Sequence, residues 1–201
     1  MPVAQLGRRE RKKKAVRDSI CNETIKLIER HGVDGVTIDA ICDCVDIAKK
    51  TFYNYYASKH ELLLDLCQMV LLQGTEAMML EVMHSGKSAG DQLAEIIAVI
   101  AKRDQDAGGL ERELIAYSVN AMSVNLQQGA GQLAYINRMF LAFFQHNSDA
   151  LKADMTPAFC AEMTVGMLNA VTLNWLHNKD YDSASRYAML LSYLQNSMLK
   201  T

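Results

Sequence analysis

Between Thr37 and Lys59 the chain reads TIDAICDCVDIAKKTFYNYYASK, and its polar side chains are mostly hydrogen-bond donors rather than paired acids, bases or nucleophiles. Lysine ammonium groups, threonine and tyrosine hydroxyls and an asparagine amide are groups that hold phosphate oxygens and read base edges. Their spacing sorts them onto one face. On a short helix from about Ala48 to Asn54, Lys49, Lys50, Thr51, Tyr53 and Asn54 point outward, while Ile47 and Phe52 point in. Other chemistries have little to work with. Cys42 and Cys44, two apart on a helix, point about 200° away from each other and do not share an ion. No other Cys/His pair has metal-site spacing, so no metal or cofactor is expected and the thiols read as small buried side chains. A helical-bundle enzyme lacks support, because the chain has no paired Glu-x-x-His motif, no nucleophile with a convergent His and acid, and no phosphate loop.

Donors on so short a helix must be positioned by the elements around it. Thr37 can cap a preceding helix, with Asp39 near its positive end, and Ile38, Ile41 and Cys42 supply that helix's inner face. Ser58-Lys59-His60-Glu61 forms a capping box that starts the next helix, in which Glu61 reaches back to the Ser58 N–H. Two short helices with a tight turn, the second rich in donors, read as a helix-turn-helix with its recognition helix.

The segments Thr37-Ile38, Thr51-Phe52-Tyr53-Asn54-Tyr55-Tyr56 and Ser58-Lys59-His60-Glu61-Leu62-Leu63 closely resemble, in register, the DNA-binding signature of TetR-type transcriptional regulators. The resemblance covers the first helix to Leu64; beyond it, only length and helix pattern are similar. Three positions depart from the family pattern. Asp46 stands where a turn glycine is usual, Ala48 where a serine cap is common, and Lys50 where a small residue is frequent. Asp tolerates a left-handed backbone better than most residues other than glycine, so the turn survives. The resemblance implies a double-stranded DNA operator as partner. Lys49, Tyr53 and Asn54 are then expected in the groove, Lys50 adds charge toward DNA, and Thr37, Thr51, Tyr55 and Lys59 are expected to hold phosphates.

Charge is distributed to match. Residues 1–60 hold 12 Lys/Arg against 8 Asp/Glu, a net of +4, and residues 61–201 hold 9 against 15, a net of −6. The basic cluster Arg8, Arg9, Arg11, Lys12, Lys13, Lys14 and Arg17 runs from an arm over residues 1–10 into a first helix expected from about Arg11 to His31, with Gly32 as its stop. Two prolines and many Leu, Ala, Met, Glu and Gln favour an all-α fold. A chain with no membrane-length apolar run, no secretory signal and five irregularly placed cysteines is expected in the cytoplasm and off the membrane. A membrane-surface role for the basic N-terminus is the weaker alternative.

The expected organisation is a helix-turn-helix domain over residues 1–60 and a larger helical domain over 61–201, joined by one long helix from Ser58 to Met83 or His84. The last two helices, starting at Thr156-Pro157 and Asp182-Ser183, are apolar over more than one face, with small residues Gly166 and Ala170 four apart. That excess is expected to pair two copies into a four-helix interface, as the resemblance also implies. The resemblance further implies a pocket for a small-molecule effector, largely apolar, with Met79, Met83, Ile100, Tyr117, Asn120, Met122, Phe140, Phe143 and Trp175 as its candidate walls. The function expected is a ligand-responsive repressor; a thiol-sensing regulator of the same fold is the alternative.

Overall fold

Helical spacing of apolar residues, broken at few points, folds the chain as expected. The computed structural model describes residues 7–72, 74–124 and 130–200; the side chains of 121–133 lie outside the described residues. Its elements are α1 (Arg8–Gly35), α2 (Ile38–Val45), α3 (Lys49–Tyr53), α4 (Lys59–Leu71), α5 (Thr75–Met83), α6 (Ala89–Asp106), α7 (Gly109–Val124), α8 (Ala130–His146), α9 (Pro157–His177) and α10 (Ser183–Met198). The fold is all-α, and among the described residues the extended contact is an isolated antiparallel bridge between Leu151 and Leu199. No single helix among the described residues is long and apolar enough to cross a membrane.

Backbone packing divides the chain into Met1–Leu71 with Gly109–Leu114, and Leu72–Gly108 with Ile115–Thr201. Residues 61–71, expected with the second domain, thus pack in the first unit. Two expectations about its helices need correction. α1 begins at Arg8 rather than Arg11, so Arg8, Arg9, Arg11 and Lys12 to Lys14 are exposed helical residues; Glu10 supports that start by accepting the Gly7 N–H at 3.1 Å. The long helix from Ser58 to Met83 is also two helices. Gly74 takes a left-handed backbone (φ 79°) and starts α5, so no single rod runs through this region.

Within the first unit, Ile20, Cys21, Thr24, Leu27 and Ile28 bury one stripe of α1, while Ala15 is exposed. Gly32 interrupts the helix at φ 69°, a conformation that only glycine adopts at little cost. The break frees the Val33 N–H, which donates to Glu113 Oε2 at 3.0 Å. Val33 also accepts from Lys59 Nζ at 2.7 Å, so both backbone groups of this residue are satisfied from distant positions in the sequence.

In the second unit, Leu93, Ile96 and Ile97 of α6, Phe140, Phe143 and Phe144 of α8, Val165 and Leu168 of α9 and Leu190 and Leu194 of α10 share one core, with α6 packed on α10 and α8 on α9. Thr156 caps α9 by accepting the Phe159 N–H, with Pro157 at the first helical position as the sequence implies. One buried carboxylate sits in this apolar packing. Asp104, 1% exposed, accepts from the Tyr187 hydroxyl and from Thr172 Oγ1 at 3.4 Å. Tyr187→Phe removes a donor from a buried charge and should destabilise the chain by about 1–3 kcal/mol, read as a lower urea midpoint at unchanged slope. An unchanged midpoint would show that Tyr187 contributes only its ring.

Candidate nucleic-acid interface

Thr37 caps α2 through its hydroxyl, which accepts the Ala40 N–H at 3.1 Å. The α2 helix ends on Asp46, whose backbone is left-handed (φ 55°, ψ 52°) and whose N–H returns to the Cys42 carbonyl. Asp46 therefore does the work of the glycine usual at such a stop. Ala48 begins α3 without a side-chain cap. Phe52 is fully buried, and from that anchor Lys49, Lys50, Tyr53 and Asn54 stand exposed, with Thr51 and Tyr55 half-buried beside them. The sequence-predicted donors of α3 thus form one contiguous surface.

Two of the expected phosphate and groove contacts are occupied within the chain. Lys49 Nζ lies 2.6 Å from Asp39 Oδ1, both side chains exposed, and the bond raises the ammonium pKa above its ordinary value. Lys59 spends its ammonium on the Val33 carbonyl, and partial burial lowers its pKa. Its backbone still opens α4, which Ser58 caps by accepting the Glu61 N–H at 3.1 Å. The Glu61 carboxylate takes the Ala57 N–H at 2.6 Å, one residue before the Ser58 N–H that the capping box implies.

Tyr56, which the sequence did not single out, is the hub of this unit. Its hydroxyl donates to Asp65 Oδ2 at 2.6 Å, accepts from Arg17 Nε at 3.1 Å, and lies 3.3 Å from Cys21 Sγ. Arg17 also grips both Asp65 oxygens, at 2.6 and 2.7 Å. Arg17, counted by sequence among the DNA-facing basic residues, is therefore an internal clamp between α1 and α4. Burial raises the Tyr56 phenol well above its ordinary pKa, and the bond to Asp65 adds to it. The thiols follow burial too: Cys21, Cys42, Cys67 and Cys160 are buried with raised pKa, Cys67 to about 12, whereas Cys44, expected inside, is exposed.

The residues expected around an effector scatter. Met79, Met83, Phe140 and Phe143 are buried in the second unit's core with Ile100 packed against it. Trp175 is buried, Tyr117 half-buried and Asn120 exposed, and the side chain of Met122 lies outside the described residues.

Comparison with known proteins finds likenesses to this segment and to the fold. Residues 20–66, which span α1 to α4 around this surface, match the profile of bacterial regulatory proteins of the tetR family. The helix-turn-helix segment of this chain is similar to that of TetR-family regulators. The HTH-type transcriptional regulator TcmR of Streptomyces glaucescens is 33% identical over 58 residues, a stretch covering 29% of this chain and 26% of TcmR. The chain therefore matches about a quarter of that relative's length. Thermus thermophilus FadR, a TetR-family repressor solved with lauroyl-CoA, shares the fold at TM-score 0.76 and 17% identity, over 92% of this chain and 96% of FadR. SmeT, repressor of a Stenotrophomonas maltophilia multidrug efflux pump, gives 0.71 at 13% identity over 92% and 90%.

The helix-turn-helix unit is thus held by a buried phenol tied to a partly exposed carboxylate–guanidinium pair, with a consequence in alkali. The unfolded Tyr56 ionises before the folded one, so above about pH 10 the unfolded state binds fewer protons and stability falls as pH rises. Tyr56→Phe should lower the neutral-pH urea midpoint and flatten that alkaline decline, with Tyr187, Tyr135 and the four buried thiols, raised in the same direction, supplying what remains. Equal alkaline slopes in both proteins would contradict the assignment.

Proposed function

We propose that this chain is a ligand-responsive transcriptional repressor. In this reading it binds a palindromic operator as a homodimer and is released by a largely apolar small molecule. The observation that carries the reading is the exposed face of α3, where Lys49, Lys50, Tyr53 and Asn54 stand clear of a fully buried Phe52. Lys49, Tyr53 and Asn54 enter the major groove, Lys50 adds charge at its edge, and Thr37, Thr51, Tyr55 and the α4 N-terminus at Lys59 meet phosphates. The exposed basic residues from Arg8 to Lys14 extend the phosphate contact. DNA binding belongs to residues 1–60, and effector binding and pairing to 61–201.

Pairing is supported by an exposed stripe on the last two helices. Phe159, Gly166 and Ala170 of α9 and Met189 and Tyr193 of α10 face solvent, with Phe159, Met189 and Tyr193 46%, 58% and 56% exposed. A five-residue recognition helix reads few bases, whereas two on a twofold axis read half-sites about 34–36 Å apart. The lauroyl-CoA and triclosan held by FadR and SmeT support an apolar effector. Release follows if the effector favours a spacing of the two recognition helices that does not fit DNA, a population shift set by its differential affinity.

Selection from random duplex DNA should recover a palindrome. On that duplex Tyr53→Ala or Lys49→Ala should abolish gel-shift retention while leaving the dimer intact in sedimentation. Asp39→Asn should instead strengthen retention several-fold, because it frees Lys49 and removes a negative charge beside the phosphates. Wild-type retention by both alanine variants would sink the assignment.

A further inference from the structure

Helices α5 and α8 run side by side in the same direction. Near their starts the Tyr135 hydroxyl donates to Glu76 Oε2 at 3.5 Å, and at their ends His84 and His146 lie with ring centroids 5.6 Å apart. Between them opens a cavity of about 410 Å³, within the range of about 300–1,000 Å³ common for small-molecule sites. Its polarity is graded along its length. The polar lining, Glu76, Tyr135 and Arg138, gathers at the N-terminal end, because Arg138 folds back to place its guanidinium 5.8 Å from the centre of the Tyr135 ring. Toward the other end the lining is apolar. Met79 and Met83 are buried at its base, Met139 is half-buried, and Leu80 and Ala142 form an exposed rim. From Glu76 to Met83 the helical rise makes this groove about 10 Å long.

Charge at the polar end selects the head group. Glu76 accepts the Tyr135 hydroxyl, while among the described residues Arg138 forms no ion pair and keeps its donors free for a planar acceptor. A guanidinium fork suits a carboxylate bidentately. The neighbouring Glu76 carboxylate disfavours a head with more than one negative charge. Methionine walls adapt to a flexible chain.

We infer that the groove between α5 and α8 takes a single-chain aliphatic carboxylate, its head on Arg138 and its tail along Met79, Met83 and Met139. This deepens the effector reading proposed above and rests on it. The test is equilibrium dialysis of the full chain against radiolabelled dodecanoate below its micelle concentration, with dodecan-1-ol as the uncharged partner probe. Gel shift on the selected duplex is run on the same preparations without amphiphile.

Saturable binding of one dodecanoate per chain is expected. Ala142→Trp, filling the exposed rim, should weaken both probes about tenfold, with thermal unfolding unchanged to show that the fold is intact. Arg138→Gln should weaken dodecanoate about tenfold and leave dodecan-1-ol unaffected. Absence of saturable binding, binding indifferent to both variants, or an equal loss of both probes in Arg138→Gln would overturn the assignment. Duplex retention without dodecanoate binding overturns this site while leaving the DNA reading in place. Dodecanoate binding that follows the variant pattern in a chain that holds no duplex supports the site and overturns the repressor reading.

Discussion

A helix of five residues does not hold itself together, since isolated helices shorter than about 12–15 residues are marginal in water. Everything proposed for α3 therefore depends on what fixes it from behind. Phe52 and Tyr56, four apart, point the same way into the first unit, 0% and 3% exposed. The phenol of Tyr56 then ties the segment after α3 to α1 through Arg17 and Cys21, and to α4 through Asp65. The Phe52 ring and the Tyr56 phenol are buried and so insensitive to salt, whereas the Arg17–Asp65 pair beside them is partly exposed. The surface offered outward can consequently change its ionic partners without the helix losing its seat.

That outward surface is held in a competing set of contacts. Lys49 is paired with Asp39, and the Lys59 ammonium with the Val33 carbonyl. The first pair is exposed on both sides and contributes little to stability, so a phosphate can displace the carboxylate at small cost. The second is partly buried and closes the broken end of α1, where Glu113 satisfies the neighbouring N–H. Lys59 is accordingly better suited to a structural role, with the α4 N-terminus itself available to an anion.

Much of the first unit was legible because its signals are local. The Thr37 cap, the inward Phe52 and the tolerance of Asp46 for a left-handed turn all follow from residues within a few positions of one another. The interactions that sequence reasoning missed link distant positions. Arg17 and Asp65 are 48 residues apart and carry no periodic or spacing signal, so Arg17 was grouped with the basic residues next to it. The break before α5 was hidden for a different reason. One glycine inside an apolar helical pattern costs only about 1 kcal/mol, so packing rather than propensity decides whether the helix continues through Gly74. The effector residues were the least legible. Methionines and aromatics at helical spacing look alike whether they fill a core, as Phe140 and Phe143 do, or line a groove, as Met79 and Met83 do.

Hydroxyl-radical footprinting of the chain on its selected duplex reports where paired copies of α3 seat. Two symmetric protected patches about one helical turn apart, centred on the palindrome's axis, are expected. A single asymmetric patch, or even protection with no centre of symmetry, would contradict paired seating.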